Sequence, residues 1–257
     1  MQKEDLKFQS SLIFEGMTSI RAVIRAIDEG RSDRQLQEII FDKDKMRKNA
    51  KELGYFKAVS SKYGFSLVES TAESMDELTL GSSHGGIIAR TTARTLLPLD
   101  GINFAAGGFY VMIQGIEDPY NFGYALRSLY ACGCDGIILP ERNWMSAAGV
   151  VCRASAGASE LLDAYVGDAE QAVKLFKANG YNIVCAEEKT DNVLGECPLP
   201  LPILLVIGGE KRGISRSILD LADTLVKINY AREFKASLSA ASATTMFAFE
   251  IMRQNKR

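Results

Sequence analysis

From Phe109 onward the chain alternates short, largely apolar runs with stretches that carry apolar residues at helical spacing, and few patterns restrict a fold more. Runs at Phe109–Ile113, Gly136–Leu139, Tyr181–Cys185, Ile203–Ile207 and Thr224–Ile228 read as strands buried on both faces. Between them helices are expected over Tyr124–Ala131, from an Asp168 cap to Asn179 with Gly180 as stop, over Ser215–Leu221, and at the C-terminus. The alternation predicts an α/β fold, a mostly parallel sheet with helices on both faces. In such a sheet ligands bind beyond the carboxyl ends of the strands.

The earlier residues have a different texture. Ile20, Val23, Ile24 and Ile27 follow helical spacing after Thr18–Ser19, which read as a cap, and Gly30 stops the helix. Further helices are expected over 33–41, over 46–53 with Gly54 as stop, and over 56–63, with a strand-like stretch at 65–68. Pro98, Asp100, Gly101 and Asn103 mark an exposed linker within 90–104. A length of 257 residues suits two domains, a small α/β domain over 1–97 and a larger one over 98–257.

Charge and cysteine usage narrow the partners. The net charge is −2, with 15 Lys and Arg against 14 Asp and Glu in residues 1–97 and 15 against 18 thereafter. Any footprint for a polyanion must therefore be local. The candidates are Arg21, Arg25, Arg31 and Arg34, then Lys43, Lys45, Arg47, Lys48 and Lys51, although interleaved carboxylates also fit a solvated helix face. Five cysteines without CxxC spacing and a single histidine argue against a disulfide framework and against a metal site. No apolar stretch approaches the ~20 residues of a membrane span, and the opening MQKEDLKFQSS lacks a signal-peptide core, so a cytoplasmic protein without a membrane partner is expected.

Three loops beyond strand ends carry the chemistry-bearing residues. QGIEDPYNFGYALR offers a Pro119 turn, Asn121 as a possible cap, Gly123 for close backbone approach, and Arg127 one helical turn further on. GGEKRGIS contains Gly208, Gly209, Glu210 and Gly213, with Ser215 as a cap. NYAREFKASLSAASATTMF leads into a helix whose start is nearly all Ser and Ala. Neither GxxxxGK[ST] nor GxGxxG occurs, which weakens readings based on a P-loop or a dinucleotide fold.

In order and spacing, DPYNFGYALRSLYACGCDGIILP, VVCRASAGASELL, LLVIGGEKRGIS and INYAREFKASLSAASATTMFAFE resemble the successive motifs of the SpoU (TrmH-like) RNA 2′-O-ribose methyltransferases of the SPOUT superfamily, over nearly all of 105–255. EGMTSIRAVIRA and HGGIIA resemble the substrate-binding domain often fused to them. The resemblance implies a SPOUT sheet with a trefoil knot, S-adenosylmethionine as cofactor without metal, RNA as substrate, ribosomal before transfer RNA, and a homodimer with the site near its interface. Arg127 matches the catalytic arginine; a guanidinium stays protonated, so it would clamp a phosphate and polarise the hydroxyl rather than act as a base. Asn121 would orient the hydroxyl or the Arg127 loop, or serve as a cap, and Glu210 would bind the donor or fix the loops. Gly208, Gly209 and Gly213 would cradle the donor with backbone, Ile228 would meet its adenine, and Ser237, Leu238 and Ser239 would complete the pocket. Ser239 stands where the family usually has asparagine, Asn229 where it has proline, and Gly209 where asparagine or serine is common. His84 reads as a turn residue, and Trp144 as a base-stacking group or a buried anchor. The alternatives are a non-catalytic RNA-binding relative or an α/β enzyme using another nucleotide, classes that titration with S-adenosylmethionine and ATP separates, and a transfer RNA methyltransferase, which mapping of ribose methylation distinguishes.

Overall fold

A computed structural model describes residues 12–79, 84–140, 147–209, 211–233 and 236–256. In chain order its elements are β1 (Ile13–Glu15), α1 (Gly16–Asp28), β2 (Leu36–Asp42), α2 (Ala50–Tyr63), β3 (Ser66–Ser70), α3 (Ala72–Leu78), β4 (Ile87–Thr91), β5 (Leu97–Pro98), β6 (Phe109–Ile113), α4 (Pro119–Ala131) and β7 (Gly136–Leu139). There follow α5 (Ala148–Ala154), α6 (Ala158–Leu161), β8 (Asp163–Val166), α7 (Ala169–Ala178), β9 (Asn182–Ala186), β10 (Ile203–Ile207), α8 (Arg216–Leu219), β11 (Thr224–Val226) and α9 (Ala240–Asn255). They form two units: the first runs to Thr95 and takes in a later segment ending at Leu161, and the second, from Leu96, contains the rest.

The first unit holds a four-stranded sheet ordered β1-β4-β2-β3, in which only β2 and β3 pair in parallel. The helix expected over 33–41 is instead β2. Leu36, Ile39 and Ile40 fall at helical spacing, but Ile39 and Phe41 pack into one apolar cluster and Ile40 into another, because this strand is buried on both faces. A strand covered on two sides loses the alternation that marks a half-exposed one. In α1, Ile20, Val23 and Ile24 are buried; each contributes about 1.5–3 kcal/mol, which outweighs the few tenths by which β-branched residues disfavour a helix. Thr18 and Ser19 lie inside α1 rather than capping it, since Glu15 is its cap residue. Gly54 does not end a helix either: α2 runs straight through it to Gly64, whose φ of +73° closes the helix.

The segment holding α5 and α6 was expected with the larger domain, yet it packs in the first unit. Cys152 is buried in the cluster that contains Phe14, Ile20 and Phe41. Arg34 and Glu160, only 2% and 3% exposed, pair at 2.8 Å, and the Arg34 guanidinium also lies 4.8 Å over the Phe14 ring and donates to the Thr92 carbonyl. Arg94 donates to the Ser159 carbonyl.

The second unit holds a seven-stranded sheet ordered β11-β9-β10-β6-β7-β8-β5, parallel at every pairing, as the apolar runs require. The sheet order reverses between β6 and β10: β7, β8 and β5 lie beyond β6, and β9 and β11 lie beyond β10. One face is filled by Tyr110, Phe176 and Tyr181 in edge-to-face contact, with the Tyr165 ring tilted against Tyr110. The far end of α9 is stitched to the stretch before β10: Gln254 accepts from Leu199 N and donates to the Cys197 carbonyl, while Asn255 donates to the Leu199 carbonyl.

Candidate active site

A cavity of about 640 Å³ opens at the carboxyl ends of β9, β10 and β11, within the size range of nucleotide-sized ligand pockets. Its floor is Ala186, Ile207 and Val226, and its walls are the loops that leave these strands. Gly208, Gly209, Gly213, Ile228, Ser237, Leu238 and Ser239 all line it.

The wall at 208–213 is built from backbone. Gly209 and Gly213 exchange N–H···O=C bonds of 3.2 and 3.0 Å, closing a tight hairpin that Gly213, at φ +62°, makes possible. A Cβ on Gly208 would lie 2.7 Å from the Gly213 carbonyl carbon. One on Gly209 would lie 2.5 Å from the Gln114 carbonyl oxygen and 3.0 Å from Gly115 Cα. The departure at Gly209 thus has a physical reason: the loop after β6 is stacked on this residue, leaving no room for asparagine or serine. Lys211 also reaches Glu117 at 2.7 Å, but both are well exposed, so that pair contributes at most about 1 kcal/mol and the backbone stacking sets the loop position.

The opposite wall is the approach to α9. The Leu238 N–H donates to the Tyr230 hydroxyl at 3.2 Å, and the Ser237 hydroxyl donates to Glu188 at 3.4 Å. Ser239 is the N-cap, its hydroxyl accepting from Ser242 N at 3.2 Å. Serine and asparagine cap equally well, so this departure preserves the start of the helix. Ala240 and Ala243 then line the cavity without filling it.

Sequence reading missed Glu187, Glu188, Lys227, Tyr230 and Phe247, which also line the cavity. The signal for the two glutamates was available, because they follow β9 directly and the rule that sites lie beyond strand ends applies to that loop as to its neighbours. Lys189 N donates to the Glu187 carboxylate at 3.1 Å. Burial pushes the Cys185 thiol up to about 12, helped by Glu187 and Asp223, so this buried neighbour of the cavity floor remains a thiol at neutral pH.

Asn121 and Arg127 lie on α4, outside the lining. Asp118, not Asn121, caps α4, accepting from Asn121 N at 2.8 Å, with Pro119 in the first turn where a missing N–H costs nothing. Asn121 is half-buried, and Arg127 is exposed and makes no ion pair with any described residue. Glu210 and Trp144 fall outside the described residues. His84 is buried; its Nδ1 accepts from Gly86 N and its Nε2 faces Asp76, which suits a turn residue. Among the described residues there is no cluster of three or more metal-ligating side chains, and no helix is long and apolar enough to cross a membrane.

An all-parallel sheet with a glycine-walled pocket at its carboxyl edge defines a nucleotide-type α/β protein, and the same fold occurs in solved RNA methyltransferases. A crystal structure of an RNA 2′-O ribose methyltransferase superposes with a TM-score of 0.79 at 20% identity, covering 97% of this chain and 95% of that one. An AdoMet-bound rRNA methyltransferase from Sinorhizobium meliloti gives 0.79 at 20% identity, covering 97% and 94%. The profile of the SpoU rRNA Methylase family matches residues 108–249, and the chain belongs to that family. Among curated relatives, the 23S rRNA (guanosine-2′-O-)-methyltransferase RlmB of Shewanella oneidensis is 28% identical over 76% of this chain and 80% of its own length. The putative TrmH family tRNA/rRNA methyltransferase YacO of Bacillus subtilis is 26% identical over 89% and 92%.

Proposed function

We propose that the protein transfers a methyl group from S-adenosylmethionine to a ribose 2′-hydroxyl of ribosomal RNA. The reading rests on one observation: seven residues from two separate loops, singled out by their motifs, converge on one cavity at the carboxyl edge of the sheet. The cavity suits the donor, since its glycine wall cannot carry side chains and its helix start is made of small residues, leaving backbone groups to face a nucleoside. Gly208, Gly209, Gly213 and Leu238 would hold it through main chain, with Ile228 beside the adenine and Ser237 and Ser239 at the rim. When bound, the donor supplies a methyl group on a positively charged sulfur.

The chain's own part is positioning, which accounts for much of the acceleration of such a transfer. Arg127 would grip a substrate phosphate through its two-pronged guanidinium and polarise the 2′-hydroxyl. Asn121 would orient that hydroxyl, and Glu210 the donor loop. The C-terminal segment would thread a loop as a trefoil knot, with the second unit forming the catalytic domain and the first unit, which takes in α5 and α6, gripping RNA.

A homodimer completes the proposal. Tyr120 and Tyr124 share one stripe of α4, and Met246 and Phe249 that of the packed α9; Tyr124 is 51% and Phe249 53% exposed, an apolar face that a second copy would cover. Single-turnover transfer of tritiated methyl to 23S ribosomal RNA, with transfer RNA in parallel, tests the reaction. Label in transfer RNA alone, or in neither, refutes the ribosomal reading.

A further inference from the structure

Nine cations in the first unit stand out in the sequence, and the structure sorts them. Arg25 and Arg31 are both held by Glu29, Arg34 is buried against Glu160, and Lys45 is held by the buried Asp42. Lys43, Arg47, Lys48 and Lys51 are exposed and make no ion pair with any described residue, while Arg21 stands apart on α1. Lys57, one and a half turns beyond Lys51, is exposed and unpaired in the same way. Residues 43–57 thus carry six cations against two carboxylates in a chain whose net charge is −2.

The segment is rigidly seated. Asp42 N donates to the Gly86 carbonyl, Asn49 Nδ2 to the Gly85 carbonyl, and a Cβ on Gly86 would lie 2.9 Å from the Lys45 side chain, so the turn at 84–86 is pressed against its base. Beyond that anchor, Lys51 and Tyr55 share a face of α2 at i, i+4, with Arg47 and Lys48 in the preceding turn; Tyr55 is 39% exposed, its ring resting against Phe56. Unpaired cations on an anchored turn and the start of the helix it leads into, beside an exposed aromatic side chain, match a phosphate backbone with an accessible base.

We infer that the face formed by Lys43, Arg47, Lys48, Lys51 and Tyr55 is the surface on which the first unit takes RNA. This deepens the RNA reading above and rests on it. The cations would contact phosphates and set register without reading sequence, and Tyr55 would stack on an unpaired base.

The test is filter binding of the full-length protein to deproteinised 23S ribosomal RNA between 50 and 200 mM KCl, both being assay conditions of the kind that resolve counterion release. The variant Lys43→Gln/Arg47→Gln/Lys48→Gln/Lys51→Gln should lose at least about tenfold in affinity, and its plot of log affinity against log salt should flatten by about three, at ~0.7–0.9 per phosphate contact. Tyr55→Ala should weaken binding without changing that slope. A control neutralising already paired cations, Arg25→Gln/Arg31→Gln/Lys62→Gln, should keep most of the slope. Equal losses in control and test variants would overturn the assignment, as would a quadruple variant that binds like the wild type. Loss of binding to a poly-glutamate probe alone would give the face to an acidic protein and also overturn it. Calorimetric titration with S-adenosylmethionine runs alongside: a wild type that binds donor but no RNA refutes the RNA reading itself, whereas a wild type that binds both, with an unaffected variant, refutes only this surface.

Discussion

Gly209→Ala isolates what the glycine wall does. Gly209 does not sit at positive φ, so alanine is acceptable to its backbone and the whole effect is steric. The new methyl would lie 2.5 Å from the Gln114 carbonyl oxygen and about 3 Å from two backbone atoms of Gly115, where ordinary contact begins at 3.4 Å. These are main-chain atoms and cannot swing aside, so one loop must retreat by about 0.9 Å, the difference between those distances, at an overpacking cost of about 1–3 kcal/mol. The hairpin at 209–213 resists that movement through its paired hydrogen bonds. If donor binding requires the original loop position, the same 1–3 kcal/mol appears as a rise of about 5- to 150-fold in donor Kd. Calorimetric titration with S-adenosylmethionine reads it, and a thermal melt reports how much strain the free protein already carries. Wild-type affinity with an unchanged melt would refute the claim that stacked backbone shapes this wall.

Other changes bear on separate links. Arg127→Ala should leave the melt and donor affinity unchanged while single-turnover methylation falls ~100-fold or more, with little rescue by Arg127→Lys, because an ammonium lacks the two-pronged geometry. Gly54→Ala, mid-helix with nothing within 4 Å of the new methyl, should stabilise the protein by up to about 1 kcal/mol in denaturant unfolding. Glu160→Ala strands a buried guanidinium and should cost about 3–5 kcal/mol, whereas the apolar pair Arg34→Met/Glu160→Leu should cost much less. Burial raises the Asp42 carboxyl, yet the Asp44 N–H and Lys45 outweigh it and hold the group below its ordinary value; its stabilising contribution is therefore full above the unfolded pKa near 3.8 and lost as pH falls through the folded one. Asp42→Asn should accordingly lower the melting temperature at pH 7 and do so less at pH 3.

The second unit was legible because its strands are buried on both faces and its loops sit at their ends, so runs such as Ile203–Ile207 reveal both the sheet and the pocket edge. The first unit was less so. Residues 36–41 imitate helical spacing only because two apolar layers sandwich β2, a tertiary circumstance that no local window contains. Glycine roles divided the same way. Gly30 and Gly64 follow helices at positive φ, as local chemistry demands, whereas Gly54 is tolerated mid-helix and Gly209 is required by a loop nearly a hundred residues away in sequence. The approach of Asn121 and Arg127 to the cavity was inferred from motif order, and their helix carries them outside its lining.

The seating of α5 and α6 bears on how this protein could ever be divided. Because that segment leaves after β7 and returns before β8, the two units are interleaved along the chain, and the backbone passes between them three times. A truncation that keeps only residues 98–257 would carry Glu160 without Arg34 and Cys152 without its apolar neighbours, a sticky appendage in the middle of a sheet that has also lost Leu97 of its edge strand β5. Recombination that exchanged the front domain for another at a single junction would meet the same obstacle, so the fusion, once made, is hard to undo: a replacement domain must also supply the mould into which 147–161 fits.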